Sequence, residues 1–417
     1  MDYNYLPLDS TPVNLNQLSM LLDYKQHISI TFQAWESVEN CRHYLEKKLT
    51  DKPGPIHALL NSINDLHDVY QNKNEHEQLD YNLLSSPVEG SGEEVPVELA
   101  KLMIALKVKS LSYGLSGVQN PTIQRLMDMH NKDVIPVVYI PKDSDVFSAS
   151  RYLWQSVVGL GEVWYEGKKR NTKAVEKELG WKQVQLKSPE AIALISGAQY
   201  MLSYGIWCLL QATHLLEMAE LIAVLSFDAG VGQVDTNIFH LTTRVHDTTR
   251  DVLKTAADAL LSKVNTTTER LAVFPDKDLI VNNPSQTNES IAQTLEEMKN
   301  ALNGITQCSL QRMHLLDKNT RPHFIKEKLE IIGGNAASQC YNAVQTMGYI
   351  LAYELITGIR MLELKRPYKS SDSIETLMGS LKNKLGTKIN EDTNIETLNE
   401  VVSFLARWKI LLPRLYN

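Results

Sequence analysis

Ala191-Ile192-Ala193-Leu194-Ile195-Ser196-Gly197-Ala198-Gln199-Tyr200 opens a run, continuing to Leu216, that contains no charged residue. At about 20 apolar residues per crossing it is long enough to span a bilayer. Yet Ser196, Gln199, Ser203, Gln211 and His214 spread polar groups along its whole depth, and Glu217 and Glu220 follow at once. Such groups are costly at every level of a lipid core, whereas neighbouring helices in a bundle can pair them. The run is therefore read as the buried central helix of a bundle, with no membrane partner. His214, inside it, reads as a satisfied core histidine.

Outward from this helix the apolar spacing stays helical. Leu99, Leu102, Met103 and Leu106 follow i, i+3, i+4, i+7, with Pro96 and Glu98 suited to a first turn and Gly114 near the end. Ile291, Leu295, Met298, Leu302 and Ile305 step by four, three, four, three, the spacing of a seam between near-parallel helices. Val344, Met347, Leu351, Leu355 and Ile359 repeat a similar pattern. The β-branched run Val134-Ile135-Pro136-Val137-Val138-Tyr139 carries Pro136, which restricts it to a loop or an edge strand. The expected fold is all-α, a bundle of long helices. Such helices usually bury their remaining apolar faces against copies of themselves, so a homo-oligomer is expected.

Composition narrows the function classes. A net charge of −7 disfavours nucleic acid as a partner, because phosphate binding wants clustered Lys and Arg. Cys41, Cys208, Cys308 and Cys340 are scattered without a CxxC, which suits reduced thiols in the cytoplasm. The N-terminus lacks the basic-then-apolar pattern of a secretory leader. The histidines show neither HExxH nor Cys/His ligand spacing, so no metal site is expected.

Several blocks, in order, carry a resemblance. Asn82-Leu83-Leu84-Ser85-Ser86 leads to Gly90-Ser91-Gly92, then come Ser110-Leu111-Ser112-Tyr113-Gly114-Leu115-Ser116-Gly117-Val118 and Gly159-Leu160-Gly161-Glu162. Glu190 to Gln199, Leu225-Ser226-Phe227-Asp228-Ala229, Val245-His246-Asp247, Asn265-Thr266-Thr267-Thr268 and Phe274-Pro275 follow. Gly358 to Pro367 closes the series. Their order resembles the histidine and aromatic amino acid ammonia-lyases from about His67 to the C-terminus. The resemblance implies the family's fumarase/aspartase-like bundle, a tetrameric assembly and a small-molecule ligand. It also suggests three parts: a helical segment over 1–66, a lyase-like core over 67–366 and a helical tail over 367–417.

The departures concern chemistry. The family makes its electrophile, a methylidene-imidazolone, by cyclising an internal Ala-Ser-Gly, and this chain contains no Ala-Ser-Gly. Counting back from Gly159-Leu160-Gly161-Glu162 puts Asp143-Ser144-Asp145 on the tripeptide, whereas matching by residue type puts Ala149-Ser150-Arg151 there. Neither ends in the glycine that the sharp backbone bend requires. No cofactor is therefore expected. By the same resemblance Pro87 stands where the family has its substrate-facing His, and Ser196 where it has an Asn. Gln199 keeps a polar group one turn on, Asn282 echoes a ligand-binding loop, and Tyr70 matches the catalytic tyrosine's place.

Asp143 and Asp145 are close enough in sequence to act as an acid/base pair, since neighbouring carboxylates push one pKa upward. Lys142-Asp143-Ser144-Asp145 also reads as a polar turn with a helix cap. A true ammonia-lyase ranks last among three functions, because it needs an electrophile that this sequence cannot make, and two others precede it. One is a diverged lyase-like enzyme using Tyr70, Asp143 and Asp145 on a ligand held by Pro87, Ser196, Gln199 and Asn282. The other is a catalytically inactive pseudoenzyme serving as an oligomeric binding or scaffold protein.

Overall fold

The computed structural model describes residues 5–22, 26–51, 59, 84, 93–140, 146–230, 236–282, 289–316, 335–390 and 393–408. The chain opens with β1 (Tyr5–Leu8), α1 (Leu15–Met20), β2 (His27–Ile30) and α2 (Phe32–Asp51). α3 (Val97–Leu111), α4 (Asn120–Asn131), β3 (Ile135–Pro136), α5 (Val146–Gln155), β4 (Glu162–Tyr165), β5 (Lys168–Asn171) and α6 (Thr172–Glu178) come next. α7 (Glu190–Ile195) and α8 (Gln199–Ala229) precede α9 (Thr236–Val264), β6 (Leu271–Phe274) and β7 (Leu279–Asn282). The chain ends in α10 (Glu289–Leu316), α11 (Ala336–Glu363), α12 (Asp372–Leu385) and α13 (Ile395–Leu405). It divides into two compact units, one of residues 1–206 with 259–292 and the other of residues 207–258 with 293–417.

The all-α expectation holds, because every described strand has four residues or fewer. β3 lies at the edge of the β3-β4-β5 sheet, as a strand containing Pro136 must, since proline cannot donate to a central ladder. Both predicted seams are in the core: Ile291, Leu295, Met298, Leu302 and Ile305 on α10 are buried, as are Val344, Met347, Leu351, Leu355 and Ile359 on α11. Helix starts follow their caps. Asn335 Oδ1 accepts from Ser338 N at 3.1 Å ahead of α11, and Asn394 Oδ1 from Thr397 N at 2.9 Å ahead of α13.

In the second unit α8 and α11 run parallel. The Trp207 and Tyr341 rings lie 4.7 Å apart, and further along a Cβ on Gly348 would be 3.9 Å from Leu215. A Cβ on Gly358 would be 3.0 Å from Leu225, tighter than an ordinary contact, so the missing side chain eases the close approach of the helices there. Beside that contact a buried ion pair is fully bonded. Arg312 reaches Glu354 through Nε at 2.7 Å and a terminal nitrogen at 2.9 Å, while Ser226 and Ser309 donate to the same carboxylate at 2.6 and 2.5 Å.

One expectation needs correction. The charge-free stretch from Ala191 to Leu216 is not a single helix, since α7 ends at Ile195 and α8 begins at Gln199. The run from Glu190 to Ala229 remains long and apolar enough to cross a membrane by length and composition, and 56% of its most apolar window is buried inside the fold. His214 is indeed satisfied within the protein, its Nε2 2.7 Å from the Leu405 carbonyl.

Two histidines carry a pH consequence. His130 in the first unit and His246 in the second are buried, and neither Nε2 has a hydrogen-bond partner among the described residues. Burial, aided by Lys101, pushes His130 down to about 3. Burial, aided by Arg312 and Arg250, pushes His246 down to about 4. Between these values and the unfolded value of 6.5 the unfolded chain binds more protons. Stability should therefore be complete above pH 6.5 and fall as the pH drops towards 4, by up to about 1.4 kcal/mol per pH unit for each histidine. Urea midpoints at pH 7 and pH 5 test this, and His246→Leu should make the fall shallower. Equal midpoints at the two pH values would contradict it.

Candidate functional site

The break between α7 and α8 is the most constrained turn on the path of the predicted site. Ser196 closes α7, its N–H bonded to the Ile192 carbonyl at 2.9 Å. Gly197 has φ +111°, a conformation that residues with a Cβ rarely adopt. A Cβ there would lie 2.5 Å from Gln199 Oε1 and 3.0 Å from Thr268 Oγ1. α8 then restarts at Gln199, and Tyr200 is buried with its ring 5.0 Å from that of Tyr204.

The chain entering β6 grips the start of α8. Thr268 Oγ1 accepts from Ala198 N at 3.2 Å and from Gln199 Nε2 at 3.0 Å. Arg270 N donates to Ser196 Oγ at 3.3 Å. From the opposite side α3 grips the end of α7, where Lys107 Nζ donates to the carbonyls of Ala193 at 2.7 Å and Ser196 at 2.8 Å. Its counter-ion is Glu269 at 3.1 Å, with Ser110 Oγ and Thr268 N donating to the other carboxylate oxygen at 2.8 and 3.2 Å. Lys107 and Glu269 are both buried, and the Trp154 ring centroid lies 5.7 Å from the ammonium. Burial pulls the Lys107 pKa below the usual lysine range, and the Glu269 charge opposes that fall.

Of the predicted site residues, the structure places three. Ser196 and Gln199 meet at this turn, and both are buried. Asn282 ends β7 opposite Leu271 in register, one residue after the Arg270 whose N–H binds Ser196. Its Oδ1 is buried with no hydrogen-bond partner among the described residues. Tyr70, Pro87, Asp143 and Asp145 lie outside the described residues. Ala149-Ser150-Arg151, the second tripeptide alignment, falls inside α5, a helix. Among the described residues no group of three His, Cys, Asp or Glu side chains is placed to hold a metal ion. A surface cleft of about 510 Å³ runs beside α4, lined by Gln119, Arg125, Asp128 and Trp181 among others, and it includes none of the predicted residues.

Sequence reasoning missed Lys107 and Glu269, although α3 carried a signal. At about 100° per residue, Lys107 and Lys109 stand roughly 240° and 80° round the helix from Lys101. The residues between them, Leu102 to Leu106 and Val108, are apolar on every side, and a helix apolar all round is buried, so lysines on it need buried partners. All three are buried.

The turn lies in the part of the chain matched by a family profile. The description of that profile is aromatic amino acid lyase, and it covers residues 13–243, more than half of the chain. The chain belongs to the aromatic amino acid lyase family. Within the family, the histidine ammonia-lyase of Deinococcus radiodurans is 30% identical over 225 residues, covering 53% of this chain and 42% of that enzyme. The chain thus spans less than half the length of that relative. In fold, a crystal structure of histidine ammonia-lyase from Trypanosoma cruzi superposes with a TM-score of 0.82 at 20% identity, over 96% of this chain and 93% of that one. An ergothioneine-degrading enzyme, ergothionase, from Treponema denticola also gives 0.82, at 17% identity over 97% and 98% of the two chains. At those identities the likeness of the two structures concerns the helical-bundle lyase fold alone.

Proposed function

We propose that this chain is a diverged aromatic amino acid lyase-like enzyme, cytoplasmic and homo-oligomeric, that acts on a small metabolite without a methylidene-imidazolone group. Proton transfer falls to Asp143, Asp145 and Tyr70, while Ser196, Gln199, Asn282 and the segment at Pro87 hold the ligand. The observation that carries this reading is the turn at Ser196–Gln199. A buried, charge-paired network around a turn that only glycine adopts without strain is costly to maintain, and a helix with scaffolding duty alone has no need of it.

The residues do not fit the family's prosthetic group. Cyclisation needs a sharply bent backbone ending in glycine. Ala149-Ser150-Arg151 lies in regular helix, and Asp143-Ser144-Asp145 ends in an aspartate. The intact mass of the purified protein should therefore equal that of the translated sequence. A deficit of two waters localised to residues 141–152 would overturn this. Turnover of L-histidine and ergothioneine, named by the relatives, and of L-phenylalanine as an aromatic amino acid can be followed by proton NMR, with binding by calorimetry. Asp143→Asn with Asp145→Asn should abolish any turnover while leaving Tm nearly unchanged.

A second reading, the inactive oligomeric scaffold, draws on one observation. Ser196 Oγ and Gln199 Nε2 are both engaged within the protein. Wild-type protein that binds none of the three probes would favour it.

A further inference from the structure

We propose that Lys107 is a positioning residue, whose ammonium holds the Ser196–Gln199 turn in the one shape that presents its polar groups to a ligand. That consequence for binding rests on the ligand-holding role given above to Ser196 and Gln199. The positioning itself rests on geometry alone.

α7 has six residues, so most of its carbonyls have no partner within the helix. Ile192 O is taken by Ser196 N. Lys107 Nζ satisfies Ala193 O at 2.7 Å and Ser196 O at 2.8 Å, acting as a side-chain cap reaching in from another helix. The Ser196 carbonyl orients the peptide that leads into Gly197, so the lysine sets one end of the glycine's unusual backbone. Thr268 sets the other end through Ala198 N and Gln199 Nε2. Glu269 joins the two grips, since it accepts from Lys107 on one oxygen and from Ser110 and Thr268 N on the other. Gly197 alone could relax to many conformations. The turn is thus shaped by bonds from α3 and from the β6 approach. Lys107 has no exposed surface, so its contribution passes through the turn and not through contact with a ligand.

Two variants separate positioning from charge balance. Glu269→Gln removes the carboxylate, but the lysine keeps its bonds to both carbonyls even when neutral, because an amine retains N–H donors. Lys107→Met with Glu269→Gln also removes the charge pair, and those two bonds with it. Hydrogen exchange in a peptide spanning residues 193–203 should be close to wild type in the single variant. It should be about tenfold or more faster in the double variant, with exchange elsewhere unchanged.

Equal exchange in the two variants would overturn the proposal. So would loss of protection spread over the whole chain, which marks a merely structural role. If the double variant does not fold, wild type decides: an Ala198 amide, bonded to Thr268 Oγ1, that exchanges at the rate of unstructured peptide contradicts a held turn, and strong protection supports it. The affinity of whichever probe binds, L-histidine, L-phenylalanine or ergothioneine, should fall about tenfold in the double variant only. Should wild type bind none of them, the ligand-holding role fails, and the exchange comparison still decides what Lys107 does.

Discussion

Arg312→Met should destabilise the protein by about 3–5 kcal/mol, because it strands the Glu354 carboxylate in the core without its cation. Both side chains are at most 1% exposed, so water cannot replace the lost partner. Ser226 and Ser309 would still donate to the carboxylate, but neutral hydroxyls cannot balance its charge. Arg312→Met with Glu354→Met should recover most of the loss, as apolar replacement of a whole buried pair is often neutral. Urea denaturation of the three proteins gives the comparison. A single variant within 1 kcal/mol of wild type, by the same order-of-magnitude scale, would show that the pair is not what holds this part of α10 to α11.

Gly197→Ala should cost about 1–3 kcal/mol and disrupt the turn, whatever the wild-type protein binds. The backbone at φ +111° excludes a Cβ on conformational grounds, and the added atom would meet Gln199 Oε1 at 2.5 Å. Gly180→Ala provides the contrast. Gly180 has φ +67°, yet nothing lies within 4 Å of the added atom, so only the left-handed backbone is penalised, at about 1 kcal/mol. Thermal melts should rank Gly197→Ala below Gly180→Ala, and only the former should change hydrogen exchange near Ser196. Equal effects would mean that the contacts with Gln199 and Thr268 yield easily.

The sequence made the helices legible and the site only partly so. The seams on α10 and α11 could be read because burial there repeats with helical period, and Pro136 announced an edge strand by its missing donor. The break at Ser196–Gly197 was concealed by composition. A run free of charge reads as one helix, while the conformation that interrupts it depends on Thr268 and Lys107, which are distant in the chain. Lys107 and Glu269 are 162 positions apart, and no local pattern pairs a helix lysine with a glutamate in a loop. The short β6-β7 hairpin was hidden because Leu271 to Phe274 is a four-residue, almost wholly buried run that carries no alternation. Asn282 was singled out for a loop it echoes and turned out to end a strand.

The division of the chain bears on how such a protein can be inherited. Residues 259–292 complete the unit begun by 1–206, and 207–258 belong with 293–417, so each unit is written in two separate pieces. A single crossover between genes of two related proteins mixes only the first unit when it falls before residue 207, and only the second when it falls after residue 292. Anywhere from 207 to 292 it mixes the parentage of both. Recombinants joined in that interval must reconcile two sets of mismatched packing at once, so ancestry should change hands more readily towards the ends of the chain than through its middle.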